Sequence, residues 1–405
     1  MKYREIIKLG IAIVFFILGL WTESLLPFVV ILLLADSVQK GPFIKIVTEF
    51  LKKVLKKNYV YAEWCIAAVL SLFLLVFIHN NFVGVYSFHT SSMNGTLEPG
   101  DILWVNKLKP GTGKFVNSTK WFHRSYGIKD LQRKDVVMFN FPEGDSLLKN
   151  RPTDSYYYLK RLYGEEEFRG KMENLRYYPV DQRPRFVKRV YGLPGDTVMI
   201  EGGRVFCNNI EINYPEYSIG RYLVEESIKP DLINQGIKPY NELTTEEGLV
   251  WELYEKDIED ATGIEPGCLP KNYPDRLVFP FSQHLLWNMH NMGPIFIPKK
   301  GVEIRLDMDN LKFYERIISV FEENTLELKG EKIFINGKRT DSYKFKMDYY
   351  WVIGDNRPHS FDSRFWGFVP DNHILGKVEK VLFSIDPNAK SIFKFRSDRF
   401  WKTIE

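Results

Sequence analysis

The sequence predicts a mainly β protein that follows an N-terminal transmembrane helical anchor and carries a large inserted lobe. Three observations lead there. Phe, Tyr and Trp make up 15% of the 405 residues, a loading that suits strands and membrane interfaces better than a helical bundle. The polar part repeats one design, a short apolar strand closed by Pro, Gly or Asp. A chain of this length also exceeds what one hydrophobic core usually holds, so an added lobe is expected.

The anchor comes first. Residues 9–35 read LGIAIVFFILGLWTESLLPFVVILLLA, longer than the ~20 residues a helical span needs. Thr22, Glu23, Ser24 and Pro27 interrupt the run, which fits either one tilted span or a re-entrant hairpin. It is too long for the apolar core of a cleavable leader and lacks a small-residue cleavage site. A second run, about 59–80, starts with the interfacial anchors Tyr59, Tyr61 and Trp64 and is expected to span. Lys40, Lys45, Lys52, Lys53, Lys56 and Lys57 lie between the two runs. They mark 36–58 as a cytoplasmic basic loop, which places everything after the second run outside. Residues 1–83 are thus read as the membrane anchor.

The outer part is expected to be an antiparallel sheet system built from 84–212 and 325–390. VGVYSFHTSSMNGTLEPGDILWVNKL, LQRKDVVMFNFPEGD and RFVKRVYGLPGDTVMI are its first strands. TVMIEGGRVFCNNIEI (197–212) and TLELKGEKIFINGKRT (325–340) echo one another as hairpins with Gly and Asn turns. Between them 213–324 is irregular and is assigned to the inserted lobe. Residues 391–405 form a basic, aromatic tail that either rests on a membrane surface or is solvated.

A net charge of +4 set against 55 basic and 51 acidic side chains argues against a nucleic-acid binder. The three cysteines rule out a disulfide framework or a zinc cluster, leaving one Cys207–Cys268 bridge as an option. No metal motif, Walker loop or dinucleotide fingerprint is present: His284 and His290 lack i, i+4 spacing, and GTGK at 111–114 is too short. No cofactor or metal is expected.

Three segments carry the chemistry: HTSSMNGTLEPGD (89–101), VKRVYGLPGDTV (187–198) and WVIGDNRPHSFDSRFWGFVP (351–370). Together they resemble the bacterial type I signal peptidases, the serine–lysine dyad family S26. The long inserts and the NFPEGD stretch are similar to the forms found in Bacteroidetes. The resemblance implies a β-sheet, barrel-like catalytic domain of the signal peptidase type, with Ser92 as nucleophile and Lys188 as general base. It further implies that Ser360 orients the lysine, and that the Thr90 hydroxyl and the Ser92 amide form an oxyanion hole.

Arg189, Asp355, Arg357, Asp362 and Arg364 bring opposite charges around the same boxes and are expected to form supporting ion pairs. Met93 and Phe88 flank the nucleophile and are taken as substrate-adjacent. Phe88, with Val85, Leu103 and Trp104, offers an apolar surface that would dip into lipid. Two positions depart from the family pattern: Lys134 stands where glycine is usual. Gly95 stands in place of a proline, which should leave the nucleophile loop freer.

The expected activity is that of a membrane-bound signal peptidase I, a serine endopeptidase that removes N-terminal signal peptides after Ala-x-Ala-like sites. The resemblance places it in the cell inner (plasma) membrane with its catalytic domain on the outer, periplasmic face. Signal peptides of exported preproteins, the lipid bilayer and the secretion machinery are the partners it implies; nucleic acid is not one. The chemistry sets a condition: a lysine with an ordinary pKa of about 10.4 is protonated at neutral pH, so Lys188 must be buried to act as a base.

A Ser-His-Asp triad would have to use His89, His359 or His373. His89 lies three residues from Ser92 on a strand, facing the other way, and neither other histidine is paired with Ser92 by spacing. An inactive, membrane-anchored scaffold or assembly subunit of the same fold is the alternative to an enzyme. A self-cleaving repressor with the same dyad would need a DNA-binding helix pair, which the sequence lacks.

Overall fold

The computed structural model describes residues 42–55 and 58–405, apart from 117–120, 126, 150, 165, 167–174, 247, 259–260, 262–263, 270, 272 and 390–393. The apolar run 9–35 and Lys40, Lys56 and Lys57 lie outside the described residues. The described residues form two compact units: those within 42–85, 106–114 and 123–130 in one, and those within 86–105, 115–122 and 131–405 in the other.

The smaller unit holds two helices, Pro42–Leu55 (α1) and Tyr59–Asn81 (α2). The segment expected to be a basic loop is therefore largely helical, with Lys52 and Lys53 in its last turn, where the helix dipole favours cations. Ile46, Phe50 and Val54 recur at helical spacing on its exposed side. At 23 residues, α2 is ~34 Å long. Its apolar side chains Leu72, Phe73, Leu74, Leu75, Val76 and Ile78 are exposed. Counted over the described residues alone, no helix is long and apolar enough to cross a membrane.

The larger unit is mainly β. Its principal sheet is antiparallel, made of Asp101–Asn106 (β1), Val136–Asn140 (β2), Arg185–Gly192 (β3), Tyr349–Ile353 (β4), Val369–Pro370 (β5), Ile374–Ser384 (β6) and Lys402–Thr403 (β7). The order is β1-β6-β2-β3-β4-β5, with β7 paired to β6. Strands β2 and β4 are buried at every residue, which is why both read as unbroken apolar runs.

Successive side chains of β2 serve opposite faces. Val136 and Met138 join a core with Leu103, Val105, Val187 and Val378, while Val137 and Phe139 join another with Val190, Val352 and Ile374. Lys188 pairs with Val137 across β2 and β3, so a lysine sits in the middle of a sheet covered on both sides.

Both hairpins read from the sequence form, as strand Thr197–Glu201 with Arg204–Cys207 and Leu326–Lys329 with Lys332–Ile335. The segment 213–324 divides in two. Its first half builds a separate antiparallel sheet around Ile219–Val224 and Gly248–Tyr254, with a small core that includes Trp251 and Leu253. Its second half returns, and Met292–Phe296 pairs with Thr197–Glu201.

Two sequence expectations change. The tail is tied to the sheet although most of its described side chains are exposed: β7 pairs with β6 and Ile404 is buried with Met93 and Leu103. Arg399, itself buried, pairs with the fully buried Asp101. Phe400 and Trp401 do stay exposed. Cys207 and Cys268 are free thiols, and Cys207 Sγ donates to the Tyr191 carbonyl at 3.2 Å. Lys134, the departure from glycine, adopts φ 71°, a left-handed conformation in which glycine is at ease.

Candidate active site

Ser92 sits on a turn between two tied ends. At the entry, the Phe88 N–H donates to the Asp101 carbonyl at 2.8 Å and the Gly100 N–H donates to the Phe88 carbonyl at 2.8 Å. Beyond Ser92, Met93 and Leu97 are fully buried and pin the turn to the core. Met93 therefore does not face substrate as expected; its sulfur accepts from the Asp355 amide at 3.4 Å. Phe88 and Leu103 are likewise too buried to dip into lipid, although Phe88 also lines the wall of the cleft.

Lys188 reaches Ser92 from the sheet. Its Nζ donates to Ser92 Oγ at 2.6 Å and to the Val187 carbonyl at 3.1 Å. The residue is 3% exposed. Burial pushes its pKa down to about 8, against the smaller opposing pull of the Asp362 and Asp355 carboxylates. The Phe186 ring, on the same strand face two residues away, lies 5.4 Å from Nζ. The sequence condition on Lys188 is thus met by position: a central strand covered on both faces keeps it almost wholly buried.

Thr90 Oγ1 lies 3.4 Å from Ser92 Oγ, on the same wall. Both open on a cavity of about 630 Å³ that also includes Lys188, Phe186 and Phe361. Ser360 is buried, and among the described residues its hydroxyl has no hydrogen-bond partner. The expected bond to Lys188 is not formed in this arrangement. Ser360 is nonetheless close by: a side chain on Gly354 would meet Ser360 Oγ at 2.2 Å and the Ser92 carbonyl at 2.5 Å. Only glycine fits there.

The charged residues around the boxes sort into three pairs. Arg189 holds Asp355 through two bonds of 2.8 and 2.7 Å, and Arg364 holds Asp362 in the same two-point way, at 2.8 and 2.7 Å. All four are buried, and planar guanidinium–carboxylate pairing fixes orientation as well as charge. Arg357 turns away to the inserted lobe, where it meets Glu255 and, at 3.1 Å, the Tyr222 hydroxyl. None of the three candidate histidines bonds Ser92. His89 meets Ser87, His359 meets Glu252, and His373 meets Arg183 and Asn372.

Sequence reasoning missed the groups that hold the nucleophile turn. Asn356 donates its backbone N–H to the Ser92 carbonyl at 3.1 Å and its side chain to the Ser91 carbonyl at 3.0 Å. Gly95 was expected to loosen the loop, but its φ is +93° and a Cβ there would lie 2.1 Å from the Tyr217 carbonyl. Its N–H donates to Glu98 at 3.1 Å. Neither that conformation nor that donor is open to proline, so the substitution reflects close packing. Nothing in the local pattern signals the Asn356 and Tyr217 contacts, since these partners lie more than a hundred residues from the turn.

Fold and site together define a mainly β protein whose buried lysine is bonded to a serine at the mouth of a cleft. A family model described as "Signal peptidase, peptidase S26" matches residues 61–235 and 305–383. The chain belongs to this family and is a serine endopeptidase of the signal-peptide-removing type.

Signal peptidase I of Buchnera aphidicola (subsp. Schizaphis graminum) is 23% identical over 84% of this chain and 80% of its own length. That of Helicobacter pylori (strain J99) is 26% identical over 51% of this chain and 68% of its own length. The solved signal peptidase I structure from Enterococcus faecalis aligns at 15% identity over 62% of this chain and 99% of that chain, with a TM-score of 0.21.

Proposed function

We propose that the chain cleaves preproteins by a Ser92–Lys188 dyad while anchored in the membrane. The observation that carries this is the 2.6 Å bond from Lys188 Nζ to Ser92 Oγ, made by a lysine whose burial brings its pKa to about 8. Neutral Lys188 takes the Ser92 proton as Oγ attacks the scissile carbonyl carbon. The resulting oxyanion is met by the Ser92 amide and the Thr90 hydroxyl, worth about 2.7–4 kcal/mol for one well-aimed donor. The lysine ammonium then hands its proton to the departing amine, leaving an ester on Ser92. Water, deprotonated by Lys188, attacks that ester, and the serine recovers its proton from the lysine.

Ser360, buried beside Ser92 with a free hydroxyl, is assigned to accept from Lys188 and aim its lone pair once the Ser92 proton is shared. The two buried arginine–carboxylate pairs keep the Lys188 strand and the 354–364 loop in register. Small Ala-x-Ala side chains, presented in extended form, suit the cleft.

The anchor is assigned to α2, whose ~34 Å length exceeds a ~30 Å hydrocarbon core, together with the run at 9–35. The exposed apolar face of α1 suits the headgroup boundary of the lysine-rich, cytoplasmic side. The catalytic unit follows α2 in the chain and is placed on the outer, periplasmic face of the inner membrane, where secretion machinery delivers its substrates.

The test is cleavage of a preprotein by the purified, detergent-solubilised chain. Cutting at the Ala-x-Ala site by wild type, lost in Ser92→Ala and Lys188→Ala, supports the reading; wild type that does not cut sinks it. Labelling of an introduced surface cysteine within 215–320 from outside intact inner membranes tests the topology.

A further inference from the structure

The peptide planes on both sides of Ser92 are fixed by a run of hydrogen bonds that starts in the inserted lobe. A trans peptide is planar, so its N–H points opposite to its C=O. Holding a carbonyl therefore aims the amide in the same plane. Ser218 Oγ and the Ile219 amide both donate to the Asp355 carbonyl, each at 2.8 Å. This fixes the plane of the Asp355–Asn356 peptide, and its N–H points to the Ser92 carbonyl at 3.1 Å. The Asn356 side chain in turn donates from Nδ2 to the Ser91 carbonyl at 3.0 Å. The Ser91 carbonyl shares its plane with the Ser92 N–H, so this bond helps to set the direction of that amide.

The lobe supplies a second tie. Asn94 donates its backbone N–H to the same Ser91 carbonyl at 3.1 Å, and its side chain is bonded to the Tyr240 hydroxyl at 2.7 Å. Ser218 is fully buried and Asn356 is 2% exposed, so water does not compete for these bonds.

We propose that Asn356 and Ser218 are positioning residues for the Ser92 amide, and that the inserted lobe supports the nucleophile turn from behind. The proposal rests on the reading of Ser92 as nucleophile and its amide as oxyanion donor. Neither residue touches substrate. Each acts by keeping a donor aimed at the point where charge develops, and a small misplacement there is costly in rate without being costly in binding.

The experiment compares preprotein cleavage by the full detergent-solubilised chain with that of Asn356→Ala, Ser218→Ala and Ser218→Thr. A peptide boronate that forms a tetrahedral adduct on Ser92 serves as the second probe. Asn356→Ala is expected to lower kcat about tenfold to a hundredfold. Ser218→Ala is expected to lower it a few-fold, because the Ile219 amide still holds the Asp355 carbonyl. In both, KM stays within about twofold, boronate affinity falls in proportion to kcat, and the rising limb of the pH profile stays where it is. Ser218→Thr restores the rate by restoring the hydroxyl.

Wild-type kcat in both alanine variants overturns the proposal, and so does a loss confined to KM with boronate affinity intact. If Asn356→Ala does not fold, the Ser218 pair decides on the same criteria. Wild type that fails to cut, or Ser92→Ala that still cuts, overturns the parent reading and is recognised separately.

Discussion

Lys188 and Ser92 are bonded to one another, yet the chain holds them in opposite ways. Lys188 rides on a central strand with cores on both faces, so its chemistry is set by burial. Ser92 sits on a turn whose direction is set by hydrogen bonds to carbonyls, several of them from residues remote in sequence. A base needs a shifted pKa, which a buried strand supplies without fine geometry. A nucleophile with an oxyanion donor needs direction, which a turn supplies only when its peptide planes are tied. The strand is thus robust to distant change, and the turn is exposed to it.

That contrast can be broken at several points. Lys188→Ala or Ser92→Ala should each abolish cleavage, by about 10⁴-fold or more, because dyad members act as a unit; single-turnover assays read this. Arg399→Ala leaves Asp101 buried and unpaired beneath the nucleophile turn. It should cost about 3–5 kcal/mol of stability, seen in denaturant melts.

Gly95→Ala, with its positive φ and a backbone oxygen 2.1 Å from the new Cβ, should cost about 2–3 kcal/mol and lower kcat through the turn. Lys188→Met should do the reverse on the strand side, raising stability at neutral pH by about 1–3 kcal/mol while inactive.

The sign follows from linkage. Folded Lys188 titrates near 8 and the unfolded residue near 10.4. Between those values the native state binds fewer protons, so stability should rise with pH through that window. Lys188→Met should flatten the rise.

The same contrast explains what the sequence made legible. Strands β2 and β3 announced themselves through short strand segments closed by Pro, Gly and Asp, and the two hairpins through their Gly and Asn turns. Ser92 and Lys188 were legible because they sit inside motifs with fixed spacing. The pairing of Asp355 with Arg189 and of Asp362 with Arg364 was not, since a charge pattern does not say which partner faces inward.

Asn356, Ser218 and Tyr240 were invisible because each acts through contacts that span 137 to 265 residues of sequence. The tail misled for a related reason. Its alternating cations and aromatics read as a surface segment, yet Arg399 and Ile404 reach inward on either side of exposed Phe400 and Trp401.

The most direct test of the dyad is the pH dependence of kcat/KM for preprotein cleavage in detergent. A lysine base held near 8 by burial predicts a single rising limb with an apparent pKa of about 8, unmoved by His359→Asn. A limb in the histidine range that disappears in His359→Asn would contradict the account.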